Sequence, residues 1–291
     1  MRFIVGYTST PTGRDALALG IRLARAARAQ LDLVLVVNLP ERDAAADSPA
    51  DDEYSRKLRA TAQQWLDDAA RSIPAGVEFA THLVDAESFA EGLLDAARDL
   101  RARFLVIGAA HGGLLGRIAA GSVAGALLHS AEVPVVLAPA GWATRPSAVD
   151  EPISRISCAI GARVGAAHLL DEALGVARRV GAPLRLVSLV GLDQDDGTAR
   201  PDALEAGRRH AETLLQAATE QLPSDIEVST DVAVASGVEA AVAAIDWDPA
   251  EVVLLGSSRL ASPRRLFLGS TAAQMLRELP VPVVVVPSAA R

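Results

Sequence analysis

One stretch of this chain occurs twice, and the two copies keep a constant spacing. In the first copy, the apolar run Phe104–Gly108 ends on a glycine, and a loop of small residues follows. Arg117, the pair Gly121-Ser122 and then Val133-Pro134 lead into a second apolar run that ends at Ala138. The second copy has Val252–Gly256, Arg265, Gly269-Ser270 and Val281-Pro282. The steps from Gly108 to Gly256, Arg117 to Arg265, Gly121 to Gly269 and Pro134 to Pro282 are all 148 positions. One offset over so many landmarks marks an internal duplication. The 291 residues therefore divide into two domains of about 145 residues, an ordinary domain size. The boundaries fall at 1–141 and 154–291, with 142–153, mixed in charge and containing Pro and Ser, as the linker.

The repeated stretch reads as a buried parallel strand, a loop at its carboxyl end, and a helix that starts near a serine. Glycines let a backbone approach a ligand closely, and the free N–H groups at a helix start attract anions. In an open α/β sheet, ligands collect at the carboxyl ends of strands where the strand order reverses. Two readings follow from these residues: a phosphate-binding loop, or a tight strand-to-helix turn without a ligand.

The same alternation runs along both halves. In the first, strands are expected over 3–7, 31–37, 77–84, 104–107 and 135–138. Helices are expected over 14–29, 55–72 (with Trp65 as a core anchor), 86–101 and 122–129. The acidic, Pro-containing segment 41–53 reads as a solvated loop. In the second half, strands over 156–160, 184–190, 226–234, 252–255 and 283–286 alternate with helices over 169–180, 201–221 and 238–245. This order predicts an α/β fold of two tandem five-stranded parallel sheets with helices on both faces. Val-Pro before each last strand places that strand at the end of its sheet, because proline cannot donate to a ladder.

Composition narrows the function. Aromatic residues make up only 3% of a chain that is 50% hydrophobic, so the cores are built from Ala, Val, Leu and Ile. The net charge of −8 and the absence of a basic patch argue against a nucleic-acid partner. No signal-peptide pattern and no apolar run long enough for a membrane span is present. The single cysteine, Cys158, lies in an apolar run and is expected to be a buried structural thiol in a reducing cytoplasm. There is no Gly-x4-Gly-Lys-Ser/Thr, and Lys57, the one lysine, lies elsewhere, so P-loop NTPase chemistry is excluded. A dinucleotide fingerprint, a paired-histidine metal motif and a nucleophile elbow are also missing. The chain is expected not to be an enzyme.

The duplicated stretch resembles the universal stress protein family in its tandem two-domain form. Nucleotide-binding members carry Gly-x2-Gly-x9-Gly-Ser/Thr after the fourth strand. Gly108, His111 and Gly121-Ser122 keep that spacing, as do Gly256, Arg259 and Gly269-Ser270. The resemblance covers almost the whole chain. It implies a cytoplasmic stress-response protein, ATP or AMP as the ligand, an intramolecular pseudo-dimer of the two domains, and a homodimer as a further level of assembly.

The departures bear on the ligand. The second motif glycine is replaced by His111 in one half and Arg259 in the other, although Gly112 can serve after a shift of one residue. The family's nucleoside-anchoring Asp at the end of the first strand is replaced by Thr8 and by Gly161. Ser122 and Ser270 have two readings, phosphate donors or helix caps, and Arg117 and Arg265 two, phosphate contacts or solvated helix residues. Arg259 offers a fixed positive charge in place of backbone N–H groups. Two functions remain: an adenine-nucleotide-responsive signalling module, or a nucleotide-free interaction module with degenerate sites.

Overall fold

The computed structural model describes residues 1–38, 49–111, 118–119, 122–145, 149–161, 166–191, 201–257 and 266–288. The chain divides into two compact units, the bulk of one lying before Glu151 and the bulk of the other after it. The first half contains β1 (Arg2–Gly6), α1 (Pro11–Ala27), β2 (Gln30–Val37), α2 (Pro49–Arg71), β3 (Phe79–Asp85), α3 (Phe89–Asp99) and β4 (Phe104–Gly108). Two short strands, β5 (Ala110–His111) and β6 (Ile118–Ala119), precede α4 (Ser122–Ser130) and β7 (Val135–Ala138). The second half contains β8 (Ile156–Ala159), α5 (Ala166–Val180), β9 (Leu184–Gly191), α6 (Pro201–Glu220), β10 (Val228–Ala235), α7 (Val238–Ala243), β11 (Val252–Gly256), α8 (Ser270–Glu278) and β12 (Val283–Val286).

Each half is a five-stranded parallel sheet, as its strand and helix alternation predicts. The first runs β7-β4-β1-β2-β3 and the second β10-β9-β8-β11-β12. In both, the chain starts in the middle, moves outward over two strands, then returns past its starting point. Right-handed crossovers then put α1 and α2 on one face and α3 and α4 on the other. The order reverses between β1 and β4, and between β8 and β11. Register pairs Phe3 with Phe104 across the first reversal, and their rings meet edge to face at 5.1 Å.

Local chemistry explains α1. Thr10 caps it by accepting from the Gly13 N–H, Pro11 stands in its first turn, and Arg28 ends it in the left-handed region at φ 50°. Its inner face packs so closely on the sheet that a Cβ at Gly20 would lie 2.4 Å from Val5 Cγ2. A second face is buried as well. The short 3-10 turn Trp142–Thr144 folds back on it, with Trp142 only 1% exposed. The buried Asp15 carboxylate accepts from the Gly141 and Ala143 N–H groups at 2.9 and 2.8 Å. The Arg145 and Arg22 guanidiniums lie 4.8 and 5.5 Å from the Trp142 ring centroid, within cation–π range. Residues 142–145, placed in the linker by composition, thus pack on the core of the first half.

Several local expectations need correction. Helix α2 begins at Pro49, so the end of the acidic segment is helical; 39–48 lie outside the described residues. Trp65 is 39% exposed. The stripe that meets the sheet is Ala62, Leu66 and Ala69, all buried, and Trp65 stands one position off it. The third strand runs to Asp85 rather than stopping at Val84. Cys158 is fully buried, as expected, and burial pushes its thiol up to about 12.

At the amino ends of the strands, each half buries charge. In the first, the fully buried Asp32 of β2 receives Arg2 at 3.3 Å, Gln30 at 3.3 Å and His82 Nε2 at 2.9 Å. In the second, the strand registers place Arg185 where the first half has Asp32, Asp231 where it has His82, and Glu251 where it has Arg103. The buried charged position is kept with its sign inverted, and Asp231 meets Arg185 at 3.4 Å as His82 meets Asp32.

Candidate functional site

The reversal between β1 and β4 opens a cavity of about 210 Å³ in the first half. Gly6, Tyr7 and Thr8 from the end of β1 line it, with Thr12 and Gly13 from the first turn of α1. Val34 and Val36 of β2, Phe89 and Leu93 of α3, Ile107 and Gly108 of β4, and Val123 and Ala124 of α4 complete the wall. This is where an open parallel sheet presents its ligand crevice.

Close backbone packing shapes the polar end. A Cβ on Gly108 would lie 2.0 Å from the Thr12 carbonyl oxygen, and one on Gly13 would lie 1.9 Å from the Thr8 carbonyl oxygen. Both positions therefore exclude a side chain, and Gly108 is explained by the approach of α1 to the end of β4. Thr8 Oγ1 and Thr10 Oγ1 share a hydrogen bond of 2.8 Å, while Thr10 also accepts from Gly13. Buried Tyr7 donates its N–H to the Val34 carbonyl. Burial pushes the Tyr7 phenol up, against the opposing pull of Arg14 and a hydrogen bond with Ser9.

The predicted site residues are distributed unevenly around this cavity. Thr8 and Gly108 line it, and Ser122 lies exposed at the start of α4, next to the lining residue Val123. His111 is described only as backbone, in β5. Gly112, Gly121, Arg117, Arg259 and Arg265 lie outside the described residues. In the second half, Gly161 is exposed just beyond β8, and a Cβ there would touch none of the described residues within 4 Å. Gly256 is far less constrained than Gly108, since its nearest neighbour for a Cβ is Leu169 Cδ2 at 3.4 Å. Ser257 Oγ accepts from the Phe267 N–H at 2.8 Å and donates to the Phe267 carbonyl at 3.1 Å, pinning the two ends of the loop between them. Gly269, in extended backbone, is the N-cap of α8, so Ser270 is its first helical residue and not its cap.

Sequence reasoning missed Tyr7, Thr12, Gly13, Val34, Val36, Phe89 and Leu93. Gly13, three positions after a capping threonine, was the available signal for a tight helix entry at the site. Among the described residues, no three His, Cys, Asp or Glu side chains converge on a point that would hold a metal ion. No described helix is long and apolar enough to cross a membrane.

The fold defines a tandem α/β protein whose first half opens a cleft at the reversal of a parallel sheet. The model of the universal stress protein family matches residues 1–139 and again 152–287, and the chain belongs to that family. Universal stress proteins of Mycobacterium bovis and Mycobacterium tuberculosis are each 30% identical to it over 300 residues, 99% of this chain and all of the relative. Among solved structures, a universal stress protein from Archaeoglobus fulgidus aligns with a TM-score of 0.68 at 19% identity, over 98% of both chains. One from Pseudomonas aeruginosa aligns with a TM-score of 0.55 at 16% identity, over 99% of this chain and 93% of the other. At these identities the structural likeness speaks for the fold.

Proposed function

We propose that this universal stress protein is a non-catalytic, cytoplasmic stress-response module, and that ATP or AMP in the first-half cleft alters its conformation or its partners. The observation that carries this reading is the cavity at the β1–β4 reversal, bounded by the strand ends and by the first turn of α1. Small-molecule sites in open α/β sheets form at such a reversal. The non-catalytic part rests on the lining: among the described residues it holds no carboxylate, histidine, cysteine or lysine to act as base or nucleophile.

A second reading has its own observation. Thr8 stands where the family resemblance expects an Asp, so the nucleoside loses a charged anchor, which favours an interaction module that needs no nucleotide. One experiment separates the two. The protein is purified without added nucleotide, denatured, and the supernatant is chromatographed for adenine nucleotide; ATP and AMP are then titrated into the native protein by calorimetry. Co-purified nucleotide, or binding in the micromolar range, supports the nucleotide-responsive module. An empty protein that gives no heat up to millimolar ATP overturns it in favour of the interaction module.

A further inference from the structure

Strands β2 and β9 are the same element in the two halves, and their apolar residues barely tell them apart. By register, Leu31 matches Leu184, Leu33 matches Leu186, Val34 matches Val187 and Val37 matches Val190, each pair identical. Val36 against Leu189 keeps an apolar residue, and Leu35 against Ser188 is a small polar change. The large difference is Asp32 against Arg185, both buried. An apolar run that fits one sheet also fits the other, so the charge is what distinguishes the two strands.

A chain with two homologous halves is prone to pairing a strand with the wrong half. Parallel sheets also assemble slowly from distant segments, which leaves time for that error. The groups around the charged position decide what a misplaced strand would meet. In the first half, Arg2 and His82 reach Asp32 at 3.3 and 2.9 Å, and Arg103 holds the register position that Glu251 holds in the second. Arg185 placed there would face Arg2, His82 and Arg103 in place of its two carboxylates. In the second half, Arg185 meets Glu251 at 2.9 Å and Asp231 at 3.4 Å. Asp32 placed there would face both carboxylates, while Arg155 is already held by Glu251 at 2.6 Å. A buried charge that faces its own sign is strongly disfavoured.

We propose that the opposite signs of Asp32 and Arg185 act as strand addresses. Each second strand is accepted by its own half and rejected by the other, both within one chain and between copies. The inversion thus keeps a duplicated chain from trading strands between its halves, a role separate from any ligand.

The test erases the addresses and reads refolding of the full chain. Asp32→Leu with Arg185→Leu makes both strands begin Leu-Leu-Leu-Val. The groups left behind have outlets: Arg2 and His82 are 39% and 29% exposed and can turn to water, and Glu251 keeps Arg155 and Ser157. The unchanged protein, the two single variants and the double variant are unfolded in denaturant and diluted. The final denaturant levels give all four the same equilibrium stability, so that a merely structural loss is cancelled. Recovery of the native species is measured by size-exclusion chromatography and tryptophan fluorescence. A trade needs both strands to be accepted, so each single variant, which keeps one address, should recover close to the unchanged protein. The double variant should recover at least about twofold less than the product of the two single recoveries. Double recovery equal to that product, or single variants that already lose as much as the double, overturns the proposal. Asp32→Asn with Arg185→Gln, which removes the charges at nearly constant shape, is judged by the same criterion and decides the matter if the leucine pair does not fold.

Discussion

Arg185 Nη2 reaches both carboxylate oxygens of Glu251, at 2.9 and 3.1 Å, where neither side chain has appreciable contact with water. Ser157 and Arg155 add hydrogen bonds to the same carboxylate at 3.1 and 2.6 Å, and the Trp247 ring lies 4.9 Å from the Arg185 guanidinium. Burial pushes the Glu251 carboxyl up and the Arg185 guanidinium down, while each partner's charge opposes the other's shift. The pair joins the central strand of the second half to its neighbours on both sides.

Glu251→Gln should therefore leave Arg185 buried without its main counter-charge and destabilise the protein by about 3–5 kcal/mol. Replacing both members, with Arg185→Met and Glu251→Leu, should cost much less than the sum of the single changes. Denaturant unfolding of the four proteins in this cycle measures the coupling. Additive losses would show that the pair contributes nothing as a pair.

The two motif glycines should respond differently to the same change. Gly108→Ala brings a Cβ to 2.0 Å from the Thr12 carbonyl oxygen, which is backbone and cannot turn away. Moving α1 to relieve that overlap should cost about 1–3 kcal/mol. Among the described residues, Gly256→Ala meets only Leu169 Cδ2 at 3.4 Å, and it should change stability by less than about 1 kcal/mol. Thermal melting of the two variants decides the matter; equal losses would mean the close approach at Gly108 does not constrain the first half.

How much of this was legible in the sequence depends on where the constraint acts. The duplication and the alternation of apolar runs with helical periods carried the fold, because each buried strand is a nearly continuous Val/Leu/Ile run and each helix has its own stripe. Trp65 misled because size suggests an anchor, whereas the surface of α2 that meets the sheet needs Ala62 and Ala69 beside Leu66. The charged networks were invisible for another reason. Asp32 and Arg185 occupy equivalent register positions with opposite signs, so they do not appear in any comparison of like residues. At the site, Gly108 was found through the motif and Thr8 through the position of the family's Asp at the end of the first strand. The apolar wall was not, since Val34, Leu93 and Ile107 look like any other core residue until the strand order brings them together.

Asp15 should prove a stability determinant of the first half. Its carboxylate takes two backbone N–H groups of the turn at Trp142, and both bonds are lost in Asp15→Ala. Hydrogen bonds to a charged group contribute about 1.5–3 kcal/mol each, so the loss should exceed about 2 kcal/mol. Hydrogen exchange should show the Gly141 and Ala143 amides losing protection first. Unchanged protection there would mean that Trp142 packing alone holds the turn.

The buried thiol of Cys158 gives a pH dependence of known sign. Its folded value, pushed up to about 12 by burial, stands above the ordinary value of 9.0. The neutral thiol is thus favoured by the folded state, and this contribution is fully present below pH 9 and is lost as pH rises towards 12. Three pK units correspond to at most about 4 kcal/mol. The stability difference between the protein and Cys158→Ala, followed by denaturant unfolding from pH 8 to 11, should drift against the protein as pH rises. A difference that stays flat would mean that the folded state tolerates the thiolate.

The missing carboxylate is the most direct lever on ligand binding. Thr8 lines the cavity at the end of β1, where the family resemblance expects an Asp to hold the nucleoside. Thr8→Asp would offer a charged acceptor to a ribose hydroxyl, a bond worth about 1.5–3 kcal/mol, so affinity should rise by about tenfold or more. The gain should be equal for adenosine and ATP, because the new contact is made to the part they share. Gly161→Asp is the matching change in the second half, where the position is exposed and a Cβ meets none of the described residues within 4 Å. Calorimetry on both variants locates the loss. A gain only in Thr8→Asp would mean the first cleft lacks just its anchor, whereas no gain in either would show that something other than the carboxylate sets the affinity of these sites.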